Sequence, residues 1–306
     1  MKTITEQDVL RLLPMAEAIS LVRESFAGLA DGTAQNQPRR RLVLPTGAVL
    51  HQLSGSFGGY FGAKIYSTHV KHGAWFTVLL YEAATGRPLA AIEANHLGQI
   101  RTGAATGVAT DLLARRDARV LGVIGTGFQA RTQIDAVRAV RDIAEVRVWS
   151  RDAGRRAAFA ADVHARATET AEEAIRGADI VVTATFAKDP VLDAAWIAPG
   201  AHVNAIGSNN AQRREIPSEL VERAALIAVD STEQARIESG DLLLAWRDTP
   251  GRWQSDPRLI ELSEAAAGRR GRTSEVDVTI FKSNGLGVQD VAVGGYVFER
   301  IRPANP

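Results

Sequence analysis

The chain contains no cysteine and almost no net charge. Its 306 residues therefore cannot form a disulfide, a catalytic thiolate or a zinc site held by cysteines. A formal net charge of +1 gives no general attraction to nucleic acid or to an acidic membrane surface. No apolar run is long enough to span a bilayer, and residues 1–10 lack the apolar core of a signal peptide. We therefore expect a cytoplasmic protein with neither a nucleic-acid partner nor a membrane partner.

The first third of the chain has the pattern of an α+β domain. A length of 306 residues exceeds one ordinary core, so we expect two domains. Apolar residues at helical spacing predict a helix from Met15 to Leu29, and the small residues of segment 99–115 predict another. Between them, short β-like runs separated by glycine turns predict an antiparallel sheet with strands at 41–44, 49–53, 63–67, 77–81 and 89–93.

From Arg119 onward the pattern changes to an alternation of strands and helices. Strands are predicted at 120–124, 145–149, 180–184, 202–206 and 225–229, with helices at 130–140, 155–164 and 171–176. After Pro257 the chain is predicted to be helical and then to return through 276–282 and 285–292. This βαβ alternation predicts an α/β fold with a doubly wound parallel sheet of Rossmann type.

A glycine-rich turn joins the first predicted strand of this region to its helix. It consists of Gly125, Thr126, Gly127, Phe128, Gln129 and Ala130. The first glycine permits a tight turn, the second lets the backbone approach a pyrophosphate, and the alanine keeps the helix close to the sheet. The helix N-terminus offers free N–H groups to the phosphates. The strand and helix context favours a nicotinamide dinucleotide site over a phosphate-free turn.

The end of the second strand bears on the choice between NADP and NAD. NAD enzymes usually carry an acidic residue there, which binds the ribose 2′-hydroxyl. This chain has Ser150 followed by Arg151, with Arg155 close by, and arginine favours a 2′-phosphate. We therefore predict NADP as cofactor. Asp152 leaves NAD possible, and the arginines could also be solvated helix charges.

Several segments together resemble the ornithine cyclodeaminase and μ-crystallin family. They are Leu97–Gly107, Gly62–Ile65, Asn204–Ser208 and Phe281–Val291. The resemblance covers nearly the whole chain. It implies a discontinuous substrate-binding and dimerisation domain formed by 1–114 and 289–306, with a Rossmann domain at 115–288 inserted between the two segments. It also implies a homodimer.

The resemblance further implies a set of site residues. Arg40, Lys64 and Arg101 match the basic residues that face a substrate carboxylate, with Arg101 also near the nicotinamide. Three cations in one pocket suit a small anionic imino or amino acid. Because Arg40 lies within a run of three arginines, the pattern leaves open which of them enters the pocket. Family matching also places further residues around cofactor and substrate: Thr77, Thr185, Gly207, Ser208 and Ser283 for the cofactor, and Asn284 and His51 for the substrate.

One departure from the family pattern concerns the chemistry. Cyclodeaminases carry an aspartate where this chain has Asn209, and a carboxamide cannot take up a proton at neutral pH. Arg213 likewise stands where those members carry a lysine. Asp230 ends another predicted strand and is interpreted as a helix cap, with proton handling as the alternative.

The sequence therefore predicts an NAD(P)H-dependent reductase of small imino acids, or the reverse amino-acid dehydrogenase. Lys64, or a water held by Asn209, would supply the proton. Two alternatives stay open: a cyclodeaminase lyase that recycles bound NAD, and a non-catalytic μ-crystallin-like NADPH-binding protein. No metal is predicted, since the histidines show no ligand spacing with acidic residues.

Overall fold

The computed structural model describes residues 1–301, and the chain divides into two compact units. Unit 1 consists of Met1–Ala104 together with the chain from Gly285 onward, and unit 2 is Ala105–Asn284. Both divisions fall earlier in the chain than the predicted limits at 114 and 288. The first falls inside a helix that continues from one unit into the other, and such a division leaves no composition break in the sequence.

Most of the predicted strands and helices are present. Strands at Lys2–Ile4, Arg166–Ala167 and Leu259–Glu261 were not predicted, and the last of them lies where the chain after Pro257 was expected to be helical. The strands are β1 Lys2–Ile4, β2 Gln35–Val43, β3 Val49–Phe57, β4 Tyr60–His69, β5 Gly73–Glu82, β6 Pro88–Glu93, β7 Val120–Ile124, β8 Glu145–Trp149, β9 Arg166–Ala167, β10 Ile180–Thr183, β11 His202–Ala205, β12 Leu226–Val229, β13 Leu259–Glu261 and β14 Thr279–Lys282. The helices are α1 Glu6–Leu12, α2 Met15–Asp31, α3 Asn95–Leu113, α4 Phe128–Val140, α5 Ala153–Asp162, α6 Ala171–Ile175, α7 Ser218–Arg223, α8 Thr232–Glu238, α9 Gly240–Ala245, α10 Arg252–Ser255, α11 Leu262–Ala266 and α12 Gly287–Ile301.

Unit 1 contains a six-stranded sheet in the order β1-β6-β5-β4-β3-β2. All neighbours are antiparallel, as predicted, except the first pair, in which β1 runs parallel to β6. The three residues of β1 carry too little pattern to be recognised from the sequence. Helix α12 packs against β3, β4 and β5 and against α2. The sequence pattern of segment 285–292 did not predict this helix.

The two faces of this sheet differ because side chains alternate along each strand. Leu53, Lys64, Val78 and Ile92 stand opposite one another in adjacent strands and are buried on the inner face, which α12 covers. The residues between them point to the outer face, where large apolar side chains are exposed, among them Leu42, Leu50, Phe61 and Trp75. The register of each strand therefore tells on which face of this sheet a side chain lies.

Unit 2 contains an eight-stranded parallel sheet in the order β13-β12-β14-β11-β10-β7-β8-β9. The chain runs from β7 through β8 to β9 on one side and from β10 to β11 on the other, so the winding direction reverses between β7 and β10. This is the predicted doubly wound arrangement, and a ligand binds such a sheet at the carboxyl ends of the strands beside the reversal. Four strands are buried along their whole length: β10, β11, β12 and β14.

Candidate active site

The glycine-rich turn of unit 2 has the backbone that the sequence predicted. Gly125 has φ +112°, a conformation that favours glycine, and its N–H donates to the carbonyl of Trp149 at 2.9 Å. A Cβ at Gly125 would lie 2.4 Å from the carbonyl oxygen of Ala184, so no side chain fits there. Ala130 is fully buried, which lets α4 approach the sheet closely.

The start of α4 fits a dinucleotide pyrophosphate. Gly127 is the N-cap, and no side chain caps the helix. A Cβ placed on Gly127 would meet no atom within 4 Å, so the space beside the first turn is open. The first N–H groups of a helix lack internal partners, and together with the helix dipole they bind anions. Phe128 and Gln129 form this first turn, with the Phe128 side chain exposed.

Residues at the end of β8 lie beside the same turn. The hydroxyl of Thr126 donates to that of Ser150 at 2.9 Å, which ties the turn to the neighbouring strand end. Arg151 and Arg155 are exposed. Asp152 is not placed as a ribose ligand, because its carboxylate caps α5 by accepting from the Arg155 N–H at 2.9 Å. Ser150 therefore contacts the turn, whereas the selection of a 2′-phosphate by Arg151 and Arg155 stays a prediction.

A buried carboxylate holds together the ends of β10 and β11. Glu215 Oε1 accepts from the Thr185 N–H at 2.6 Å and from the Thr185 hydroxyl at 2.8 Å, while Oε2 accepts from the Gly207 N–H at 2.6 Å. Gly207 is required here, since its Cβ would lie 2.2 Å from the carbonyl oxygen of Thr185. Burial raises the pKa of Glu215, and the nearby charge of Lys282 opposes that rise. Two predicted cofactor residues are thus fixed by an acid that the sequence did not reveal.

Lys282 and Asp241 complete this network. Their Nζ and Oδ2 atoms form a fully buried ion pair at 3.0 Å, and Asp241 Oδ1 accepts from the Glu215 N–H at 2.6 Å. Lys282 also donates to the carbonyl of Ser208 at 2.6 Å. These buried charged groups therefore hold the loop after β11 in place at the carboxyl edge of the parallel sheet.

Asp230 gathers two other predicted residues of unit 2. Its Oδ2 accepts from the Ser283 hydroxyl at 3.0 Å and from the Asn284 N–H, and all three residues are buried. The interpretation of Asp230 as a helix cap was wrong, because the N-cap of α8 is the next residue, Ser231. Asp230 instead fixes the chain after β14.

Two further predicted residues, Asn209 and Thr77, are exposed. Asn209 is exposed in the loop after β11 in unit 2, close in sequence to Arg213, which is also exposed. Thr77 belongs to unit 1, where it is exposed on the outer face of the sheet. It lies on the face opposite Lys64, because Thr77 and the inward-facing Val78 are consecutive residues of one strand.

The inner face of unit 1 carries a buried cluster of charged side chains. Lys64 Nζ donates to Asp290 Oδ1 at 2.9 Å, and Arg101 Nε donates to the same oxygen at 2.9 Å. Arg101 is held further by Gln289, whose Oε1 accepts from it at 3.3 Å. Asp290 Oδ2 is buried and has no hydrogen-bond partner. Two predicted residues are therefore brought together by an aspartate of α12.

Burial and the neighbouring charges in this cluster change the pKa of Lys64. Burial, and next the charge of Arg101, lower the pKa of Lys64 to about 7, although Asp290 partly restores it. For Asp290, burial opposes ionisation, but the charges of Arg101 and Lys64 prevail and lower its pKa. A lysine with a pKa near neutrality can give or take a proton under physiological conditions.

Arg39, and not Arg40, faces this cluster. Strand β2 has a register shift that sets Pro38 and Arg39 opposite Leu53 of the inner face, and Arg39 is only 6 % exposed. Its positive charge also lowers the pKa of Lys64. Arg40 pairs with Gln52 on the outer face and is exposed. The assignment of Arg40 to the cluster is therefore corrected, since the extra residue in the strand changes which arginine points inward.

His51 lies on the same inner face. Its ring stacks on Tyr66, with centroids 4.2 Å apart and planes 2° from parallel, and Nε2 is 3.0 Å from the Thr68 hydroxyl. Lys64 Nζ lies 5.8 Å from the centre of the Tyr66 ring. Burial and then Arg41 and Arg39 lower the pKa of His51 to about 4, so this histidine is neutral at pH 7.

Sequence reasoning missed the acidic members of both clusters. Asp290 lies inside the segment Phe281–Val291 that carried the resemblance, and this was the only signal for it. Glu215 and Asp241 had no such signal, because an acid in a loop or a short helix usually faces solvent. Within residues 1–301, no group of three or more His, Cys, Asp or Glu side chains could hold a metal ion. No helix in that range has the length and apolar character to cross a membrane.

Comparison with known proteins identifies the family of this chain. The profile of the ornithine cyclodeaminase/mu-crystallin family matches residues 2–305. The chain belongs to this family. Among its relatives, the Delta(1)-pyrroline-2-carboxylate reductase of Bacillus cereus is 40 % identical over 73 % of this chain and 70 % of that protein.

Two solved structures of the ornithine cyclodeaminase/mu-crystallin family cover almost the whole chain. The Thermococcus litoralis Delta(1)-pyrroline-2-carboxylate reductase in complex with NADH and L-proline has a TM-score of 0.90 and 30 % identity, over 98 % of this chain and 97 % of that one. An archaeal alanine dehydrogenase dimer with bound NAD has a TM-score of 0.91 and 34 % identity, over 98 % and 95 %. The predicted family and fold class are thus confirmed.

Proposed function

We propose that this protein is an NAD(P)H-dependent reductase of small imino acids, or a dehydrogenase of the corresponding amino acids in the reverse direction. The observation that carries the proposal is the buried Lys64, paired with Asp290 and next to Arg101, in a chain that also has a dinucleotide turn. The relatives named above are a reductase of a cyclic imino acid and an amino-acid dehydrogenase.

The charged cluster suits an imino acid because it offers both an anion site and a proton. Arg101 and Arg39 are buried guanidinium groups, which bind a carboxylate with two parallel hydrogen bonds. In the protonated form, Lys64 Nζ would donate its proton to the imine nitrogen, and Asp290 holds that ammonium in place. We assign the proton to Lys64 and not to a water at Asn209, since the Asn209 side chain is exposed and cannot ionise.

The dinucleotide would be held at the Gly125–Ala130 turn and at the strand ends that Glu215 fixes. When bound, it supplies the hydride that reduces the imine carbon. One imine, one hydride and one proton give one amine, so the balance needs only the reduced cofactor and a protonated Lys64. The residues Arg151 and Arg155 support NADPH as the preferred form, with NADH as the alternative.

We further propose a homodimer. The outer face of the unit 1 sheet exposes Leu42, Leu50, Phe61 and Trp75, and exposed apolar patches of this kind mark interaction surfaces. The archaeal alanine dehydrogenase structure is a dimer. Light scattering coupled to gel filtration tests this, and a monomer at micromolar concentration would contradict it. A cytoplasmic location stays a prediction from the sequence.

A panel of substrates tests this function. Turnover is measured as the loss of absorbance of the reduced nicotinamide. The panel contains cyclic imines, and 2-oxo acids with ammonia or methylamine, each with NADPH and with NADH. Oxidation of the reduced nicotinamide is expected with the cyclic imines alone, and with the 2-oxo acids only when the amine is present. No oxidation with any member would remove the proposal, and proline formed from ornithine without net cofactor change would replace it with a cyclodeaminase. Tight NADPH binding without turnover would favour a binding protein.

A further inference from the structure

The side-chain amide of Gln289 is fully buried and in contact with Arg101. Its Oε1 accepts from Arg101 Nη1 at 3.3 Å and from the Leu286 N–H at 3.4 Å. A guanidinium group can only donate, so the oxygen of this amide must face Arg101, and the nitrogen forms the other end of the group. Nε2 is buried and has no hydrogen-bond partner among residues 1–301. The side chain is therefore fixed at its oxygen, and the protein leaves its donor unsatisfied.

A structural role for Gln289 explains only one of these contacts. Gln289 is the third residue of α12, a position from which a side chain can accept from the N–H that precedes the helix, as it does from Leu286. Glutamate serves as a cap at this position equally well, and its charge suits the positive end of the helix. Capping therefore does not require an amide. A glutamate would neutralise Arg101, whereas the amide holds the guanidinium group and leaves its positive charge available.

Two consecutive residues of α12 fix Arg101 and each leaves one polar atom open. Arg101 Nε donates to Asp290 Oδ1 at 2.9 Å, and Nη1 donates to Gln289 Oε1. Asp290 Oδ2, like Gln289 Nε2, is buried without a partner in the described part of the chain. Such atoms cost free energy and mark places where a ligand completes the site. An open amide donor on a side chain that contacts a guanidinium group suits a carboxylate, because a carboxylate has acceptor positions for both.

We propose that Gln289 is a further substrate-binding residue, whose Oε1 positions Arg101 and whose Nε2 donates a hydrogen bond to the substrate carboxylate. The inference rests on the proposed reductase function, which supplies a substrate with this group. Because both Arg101 and Gln289 Nε2 donate, the site discriminates against a carboxamide, whose own N–H groups would meet these donors. The neutral amide of Gln289 thus retains one uncompensated charge for one anion.

The binding of matched ligands tests this role without turnover. L-proline is compared with L-prolinamide, and L-alanine with L-alaninamide, so that only the carboxylate changes to a carboxamide within each pair. Isothermal titration calorimetry is performed on the protein saturated with reduced dinucleotide, which cannot accept a hydride, so the ligands do not react. The unaltered protein should bind at least one amino acid more tightly than its amide. Gln289→Met should raise the Kd of that amino acid about 10- to 100-fold, as expected for a hydrogen bond to a charged group, and leave its amide within about threefold.

Gln289→Glu separates substrate binding from helix capping. It keeps an acceptor for Arg101 and for the Leu286 N–H, so the urea midpoint of unfolding should stay at or above that of the unaltered protein. It also removes the donor and adds a negative charge, so the Kd of the amino acid should rise at least as much as in Gln289→Met. Gln7→Met, at an exposed glutamine of α1 in the same unit, is the matched control and should change neither value.

The outcomes decide between substrate binding and a structural role. Equal losses of affinity for the amino acid and its amide in Gln289→Met would overturn the inference, because the damage would then be general. Unchanged amino-acid affinity in Gln289→Glu would also overturn it and leave Gln289 as a helix cap. The same holds if the unaltered protein binds neither amino acid more tightly than its amide. Should Gln289→Met not fold, Gln289→Glu decides by the same comparison.

Failure of this inference can be distinguished from failure of the proposed function. If the carboxylate preference depends on Gln289 but the unaltered protein reduces no imino acid, the inferred anion site is supported and the reductase function fails. If imino acids are reduced and the preference is unchanged in both variants, the reductase function is supported and the role of Gln289 is overturned.

Discussion

Lys64 and Asp290, 226 residues apart in the chain, form a buried ion pair of 2.9 Å between Nζ and Oδ1. The pair joins the middle of the unit 1 sheet to the first turn of α12. Arg101 shares the same carboxylate oxygen, so one aspartate serves two cations. Both the stability and the proposed chemistry of unit 1 therefore depend on Asp290.

Replacing Asp290 with asparagine should destabilise the protein and remove activity together. Two buried cations would lose their counter-charge, and breaking a buried pair typically costs about 3–5 kcal/mol. Urea unfolding measures this loss, and kcat/KM measures the catalytic one. Glu299→Gln, at an exposed position of the same helix, is the control and should stay within about 0.5 kcal/mol of the wild type. An Asp290→Asn protein with wild-type activity would contradict the role given to Asp290.

The rate of imine reduction should fall as the pH rises through about 7. Lys64 has a pKa of about 7 and must be protonated to donate, so the active fraction drops about tenfold per pH unit above that value. The reverse oxidation needs neutral Lys64 and should rise over the same range. A profile of kcat against pH measures both directions. Lys64→Arg, which stays charged, should be slow and lack this step, whereas an unchanged step in that variant would assign the proton to another group.

Replacing Arg39 with glutamine should raise KM much more than replacing Arg40 with glutamine. Arg39→Gln removes a buried cation from the substrate site and should raise KM about tenfold or more, since a hydrogen bond to a charged group contributes about 1.5–3 kcal/mol. Arg40→Gln changes an exposed residue of the outer face and should leave KM within about twofold. Steady-state kinetics with one imino acid compares the two. A larger rise in KM for Arg40→Gln than for Arg39→Gln would restore Arg40 as the arginine of the substrate site.

Replacing Glu215 with glutamine should weaken dinucleotide binding without touching the glycine turn. An amide group cannot accept from the Thr185 N–H and the Gly207 N–H at both ends, so one strand end would lose its partner. We expect a Kd for NADPH about tenfold higher, measured by fluorescence titration. The exposed Glu219→Gln is the matched control. Unchanged affinity in a folded Glu215→Gln protein would show that the loops are held without the carboxylate.

Cofactor choice should depend on Arg151. Arg151→Ala is expected to raise the Kd for NADPH about tenfold and leave that for NADH within about twofold, because only NADPH carries the 2′-phosphate. Titration with both reduced cofactors measures the difference. Arg166→Ala, on β9, is the control for general loss of positive charge. Tighter binding of NADH by the unaltered protein would overturn the NADP assignment.

The sequence determined those features that depend on neighbours in the chain. The glycine turn at Gly125–Ala130 was predictable because its function needs small residues at fixed spacing between a strand and a helix. Most strands of both sheets followed from the periods of apolar residues, whereas the two- and three-residue strands β1, β9 and β13 are too short to show such a period. The family followed from short segments such as Leu97–Gly107.

Only the tertiary structure decided which side chains meet. A register shift of one residue in β2 exchanges Arg39 for Arg40 on the inner face, and neighbouring arginines in a sequence do not reveal such a shift. Asp290 reaches Lys64 because α12 packs on the distant strand β4. The same holds for Glu215, whose three donors come from Thr185 and Gly207 at the ends of two other strands. Buried charges are paired by chain segments far apart in sequence, so their partners become known only once the fold is formed.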